Sequence, residues 1–177
     1  MYRNNRRLMF ALAAAGVVLW PVSGAWASDD VNACAMLQQG DVEAAFAPRK
    51  FDSGKLGVSL KATQTRAAVS SCTYTSKGAT INDMVTVTLN VRHATSDAIG
   101  TTAEAAKAGA VHLNAAPVDV AGLGDGAYMI NYGSNIQLNV FRGKREWLVF
   151  GSRAKKLDDK AILAGLTRIA KATLARQ

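Results

Sequence analysis

The chain has 177 residues, of which 21 are basic and 13 acidic, for a formal charge of +8. That length suits one domain with a real core, and no low-complexity tract or interdomain linker divides it. Two histidines and two cysteines, none at metal-ligand spacing, argue against a zinc centre, which takes three or four ligands.

The N-terminus reads as an export signal. Arg3, Arg6 and Arg7 precede an apolar run from Leu8 to Val22, and Ala25-Trp26-Ala27 presents small residues where a signal peptidase cuts. The run of about 15 residues is short of the roughly 20 that span a bilayer. Residues 1–27 are therefore expected to be a signal peptide, and 28–177 one exported domain, periplasmic or secreted, that does not span a membrane. Cleavage would remove three arginines and no acid, leaving 18 of the 21 basic residues against 13 acidic ones, a net +5. Val31-Asn32-Ala33 before Cys34 is too polar for a lipobox. In an oxidising compartment Cys34 and Cys72 most simply pair with each other.

A first helix is expected through Val31, Cys34 and Leu37, capped by Asp30 and ended by Gly40. Asp41 then caps a second through Val42, Ala45 and Phe46, stopped by Pro48. Strands follow at Lys55 to Lys61, at Ala67 to Thr75, and most clearly at Met84 to His93, where Val85, Val87, Leu89 and Val91 alternate with polar residues. Ser96 or Asp97 should start an Ala-rich helix reaching Gly109. Short strands at Pro117 to Val120, Ala127 to Tyr132, Ile136 to Phe141 and Glu146 to Phe150 are joined by tight turns. Asp158 or Asp159 opens a last helix with Ile162, Leu163, Leu166, Ile169, Ala170 and Leu174 on its apolar stripe. Lys160, Arg168, Lys171 and Arg176 would face water. The expected fold is α+β, an antiparallel sheet of about six to seven strands flanked by N-terminal, central and C-terminal helices on its apolar face.

Two local signals stand out. Gly122, Gly124, Asp125 and Gly126 form a structural turn, because a strand rather than a helix follows, which does not suit a phosphate loop. Arg142, Lys144 and Arg145 flank one hairpin turn, and Arg153, Lys155 and Lys156 follow the next strand. A strand of about six residues spans roughly 20 Å, so these are two basic patches that could meet an anionic partner. Nucleic acid is not expected, since no aromatic stripe accompanies the charges.

Gly122-Leu123-Gly124-Asp125 with Ala127-Tyr128, Cys72-Thr73-Tyr74, and the opening Cys34, Leu37 and Asp41-Val42-Glu43-Ala44-Ala45 occur together in a known set. The chain resembles exported bacterial domains of unknown function, many of them lipoproteins, whose known relatives have a PsbP-like fold. That resemblance implies an antiparallel sheet flanked by helices and no particular activity.

Catalytic chemistry is poorly represented. His93 and His112 lack a neighbouring carboxylate in sequence, no Gly-x-Ser-x-Gly elbow occurs, and nothing selects Asp125 with Glu146 as an acid–base pair. No catalytic residue, metal ligand or cofactor is assigned. The expected function is a non-catalytic exported binding or accessory protein of the cell envelope, its partner an envelope protein, anionic lipid or glycan. The alternative is a small secreted hydrolase whose site is assembled from distant residues.

Overall fold

Alternation of branched apolar and polar residues drives the central strands, and the register shows what each face does. A computed structural model describes residues 31–97, 100–152, 154 and 157–177. The expected signal peptide lies outside them. Helices α1 (Ala33–Met36) and α2 (Gln39–Ala45) lead into strands β1 (Lys55–Leu60), β2 (Ala68–Thr75) and β3 (Thr86–His93). Helix α3 (Ala103–His112) connects these to β4 (Val118–Asp119), β5 (Gly126–Asn131), β6 (Asn135–Arg142) and β7 (Arg145–Ser152), and α4 (Asp159–Leu174) follows. The seven strands form one antiparallel sheet in the order β1-β2-β3-β7-β6-β5-β4. The α+β architecture expected from the sequence is present.

Val87, Leu89 and Val91 of β3 lie opposite Gly151, Val149 and Trp147 of β7. These in turn oppose Ile136, Leu138 and Val140 of β6. All nine are buried, and each larger side chain contributes about 1.5–3 kcal/mol through removal from water. Helix α4 covers this face with Ile162, Leu166 and Ile169, all fully buried. A Cβ on Gly165 would meet the Phe46 ring at 2.6 Å, so glycine lets α4 approach the end of α2. Cys34 and Cys72 are joined in a disulfide that ties α1 to β2 across a separation of 38 residues. The bond fits an oxidising compartment. Among the described residues no helix is long and apolar enough to cross a membrane.

Several boundaries depart from the sequence reading. Asn32 caps α1 through Ala35 N–H, and Gly40 lies inside α2. Asp41 is the third residue of that helix, in a capping box with Gln38. Helix α3 begins at Ala103 under a Thr102 cap, not at Ser96 or Asp97. It packs on the opposite face of the sheet, where Ala103, Ala106 and Ala110 meet Tyr128, Ile130 and Phe141. Arg176, expected to face water, pairs with both oxygens of Asp41 and donates to the Met36 carbonyl at 2.9 Å. Those Arg176 hydrogen bonds hold the Asp41 carboxyl below its ordinary range. The clamp fastens the residues just after α4 to the first helices. Strand β1 is exposed along its whole length and carries a bulge between Leu56 and Ser59.

Closing a 38-residue loop removes unfolded-state entropy equivalent to about 4 kcal/mol in the chain-entropy model. Replacing both cysteines by serine should lower the unfolding free energy by about 2–4 kcal/mol. Urea titration of the oxidised protein and of the double variant measures the difference. Equal midpoints would show that the cross-link does not stabilise the fold.

Candidate interaction site at a basic hairpin tip

The β6–β7 turn concentrates positive charge at one end of the sheet. Arg142 closes β6 and Arg145 opens β7, so both belong to strands and stand directly opposite each other. Arg145 also faces His93, the last residue of β3. His93, Arg145 and Arg142 thus form a row on the face that carries the core. Lys144 lies in the turn beside Gly143, whose φ of 54° is of the kind glycine adopts without a Cβ penalty.

Like charges set directly across a strand pair repel, and the local compensation is thin. Lys144 pairs with Asp97 at 3.2 Å. Arg142 donates to the Leu174 carbonyl at 3.3 Å, at the C-terminal end of α4, where the helix dipole favours a cation. Among the described residues neither Arg142 nor Arg145 has an ion-pair partner. An open cleft of about 350 Å³ runs from Gly143 and Lys144 to Thr101, Thr102 and Ala105 at the start of α3.

The glycine loop braces this tip. Gly122 and Gly124 have φ of 77° and 55°, which turn the chain from β4 into β5. A Cβ on Gly124 would overlap the Phe141 carbonyl oxygen. That close approach lets Asp125 N–H donate to the same oxygen at 2.7 Å. The Asp125 carboxylate then accepts the Gly143 N–H at 2.6 Å. Two signals that are separate in sequence are therefore one assembly, with the loop holding the basic turn from beneath. Gly126 belongs to β5, against the side chain of Ala103.

Glu146 sits on the other face of the same strand end, opposite Arg92 and Phe141. Its side chain is 14% exposed, and the nearest Arg92 nitrogen is 4.0 Å away. Burial raises its carboxyl above the usual range, and Arg92 offsets only part of that. Burial, helped by the charge of Glu146, also pushes the Tyr128 hydroxyl up to about 12. Gln137 and Asn139 continue this polar strip, Gln137 donating to the Asn139 oxygen and Asn139 to the Tyr128 carbonyl at 3.4 Å. Asp125 is committed to a backbone N–H and Glu146 to the Arg92 side of the sheet. His112 ends α3 on the face opposite His93. Arg153, Lys155 and Lys156 lie outside the described residues.

Among the described residues no group of three or more His, Cys, Asp or Glu could hold a metal ion. Comparison with family models, with curated proteins and with solved structures finds no match.

Gly124→Val should lower Tm by about 5–10 °C, because both the positive φ and the Phe141 contact are violated. Calorimetry on the oxidised protein measures it, and an unchanged Tm would remove the brace from the account. Glu146→Gln should act in the opposite direction. A carboxyl with a raised folded pKa costs stability once the unfolded chain ionises, so the cost grows from the ordinary carboxylate range upward. The glutamine variant should be more stable than the parent at pH 7 and equal to it near pH 3. Urea midpoints across that range give the comparison, and a gain that persists in acid would contradict the burial argument.

Proposed function

We propose that the chain is a non-catalytic exported binding or accessory protein of the cell envelope, and that it meets an anionic component of that envelope through the β6–β7 tip. The observation that carries the reading is the Arg142–Arg145 cross-strand pair, two arginines at directly opposed positions with Lys144 in the turn between them and, among the described residues, no ion-pair partner for either. Stability alone disfavours such a pair. An incoming phosphate or carboxylate would relieve the repulsion and accept forked hydrogen bonds from either arginine. The brace from Asp125 and Gly124 supports the reading further, since it fixes the tip before any partner arrives and lowers the ordering cost of binding.

Export rests on the N-terminal pattern of Arg3 to Ala27 and is supported by the disulfide. Kinship with the exported bacterial domains of PsbP-like fold belongs to the same proposal. Its support is the set of short motifs and the α+β architecture.

Arg142→Glu combined with Lys144→Glu should weaken binding to vesicles containing phosphatidylglycerol by about tenfold or more, since each basic side chain near an anionic surface contributes about 1 kcal/mol. Raising the salt should weaken the parent in the same way, because exposed charges are screened beyond about 8 Å at physiological ionic strength. Co-sedimentation of the parent and the variant with vesicles, and separately with anionic envelope polysaccharide, reads both effects. Binding indifferent to salt and to both substitutions would defeat the proposal.

A further inference from the structure

After α2 the chain turns, with the Arg49 N–H donating to the Phe46 carbonyl at 3.0 Å. The segment that follows runs beside the connection between β2 and β3. Phe51 bridges to Ser76, and the Lys77 N–H donates to the Lys50 carbonyl at 2.9 Å. An open cleft of about 520 Å³ lies between the two stretches, within the roughly 300–1,000 Å³ of small-molecule sites. Ala47 and Pro48 give it one apolar wall, and Leu157, which packs against the core, gives it another. Arg49, Lys77 and Asp83 bring the charge.

These charges are held in place without being consumed. One guanidinium nitrogen of Arg49 donates to the Asp83 carbonyl at 2.6 Å, which ties the two walls together. A guanidinium has several further N–H donors, so a forked pair remains for a carboxylate. The Lys77 side chain is exposed, and among the described residues it has no ion-pair partner. The Asp83 carboxylate accepts the Thr80 hydroxyl at 2.7 Å, inside its own turn. Two cations against one acid leave the cleft with one positive charge in excess. A singly charged ligand balances it, whereas a doubly charged phosphate ester would bring an uncompensated charge beside Asp83. We propose that this cleft binds a small organic carboxylate with a short apolar body, the carboxylate on Arg49 and Lys77 and the body against Pro48 and Leu157. Both walls are fixed by backbone hydrogen bonds before the ligand arrives, which lowers the ordering cost of binding. The cleft lies by the start of β3 and the hairpin tip by its end, roughly 25 Å along the strand, so either site can fail alone.

The test titrates the isotope-labelled, oxidised chain with hexanoate, hexanamide, acetate and hexyl phosphate, and follows its amide signals by NMR. Hexanoate should move the signals of residues 77–79 saturably. Hexanamide should bind more weakly by about tenfold, because it lacks the charge, and acetate more weakly than hexanoate, because it lacks the apolar body. Lys77→Gln should weaken hexanoate by about fivefold without moving Tm, since that side chain has no partner to lose, and this separates charge recognition from misfolding. Asp83→Asn should shift the preference toward hexyl phosphate. Equal affinities for hexanoate and hexanamide, or for hexanoate and acetate, would overturn the proposed recognition. Tighter binding of hexyl phosphate than of hexanoate to the parent would overturn it in favour of a phosphate ester. Movement of residues 143–145 in place of residues 77–79 would put the anion at the hairpin tip instead. No saturable shift with hexanoate would overturn the proposal altogether.

Discussion

The pairing of β3 with β7 is the constraint on which the rest of the molecule depends. Strands β1 to β3 form one meander and β4 to β7 another, and the last strand of each lies beside the last strand of the other. Seven residue pairs, from Val87 with Gly151 to His93 with Arg145, fix the register. A slip of one residue would turn Glu146 and Leu148 toward α4 and expose Trp147 and Val149. The full burial of Trp147, packed in one row with Val91 and Val140, makes that slip expensive. The same register brings Arg145 between His93 and Arg142, so the charge at the tip follows from how the core is aligned.

The two faces of the sheet solve different problems. On the α4 side, apolar residues from several strands and three helices exclude water. On the α3 side, alanines are small enough for the helix to lie close over Tyr128, Ile130 and Phe141, while Gln137, Asn139 and Glu146 remain as a polar strip. Glu146 is left with a raised pKa there because Arg92, on the adjacent strand, offsets only part of the burial cost. Perturbed carboxyls of this kind gather at functional sites, and this one lies across the strand from the cationic row.

Much of this was legible from residue order. The alternation in Val85 to Val91 gave away β3, and the stripe from Ile162 to Ile169 gave away α4. Tight turns at Gly133 and Gly143 gave antiparallel neighbours. What escaped was non-local. Ser96 and Asp97 are good caps by type, but Thr102 is the residue whose hydroxyl meets the first turn of α3. Residues 55–61 alternate like a half-buried strand, and nothing in that pattern says that among the described residues β2 is its one strand neighbour. Arg176 looked like a solvated helix residue because its partner, Asp41, is 135 positions away. The glycine loop and the basic turn read as separate features because the hydrogen bond from Gly143 to Asp125 spans 18 residues.

The strand order also decides which parts of the chain must be present before the core is complete. A chain emerging from a ribosome amino end first exposes α1, α2 and the first meander before their partners. β3 lacks one of its two neighbours until residue 145 has emerged. The face above it lacks its covering helix until α4 has followed, and with it the packing of Gly165 against Phe46. No amino-terminal fragment therefore contains a finished core. The core is complete only when the first helices, both meanders and α4 are present together.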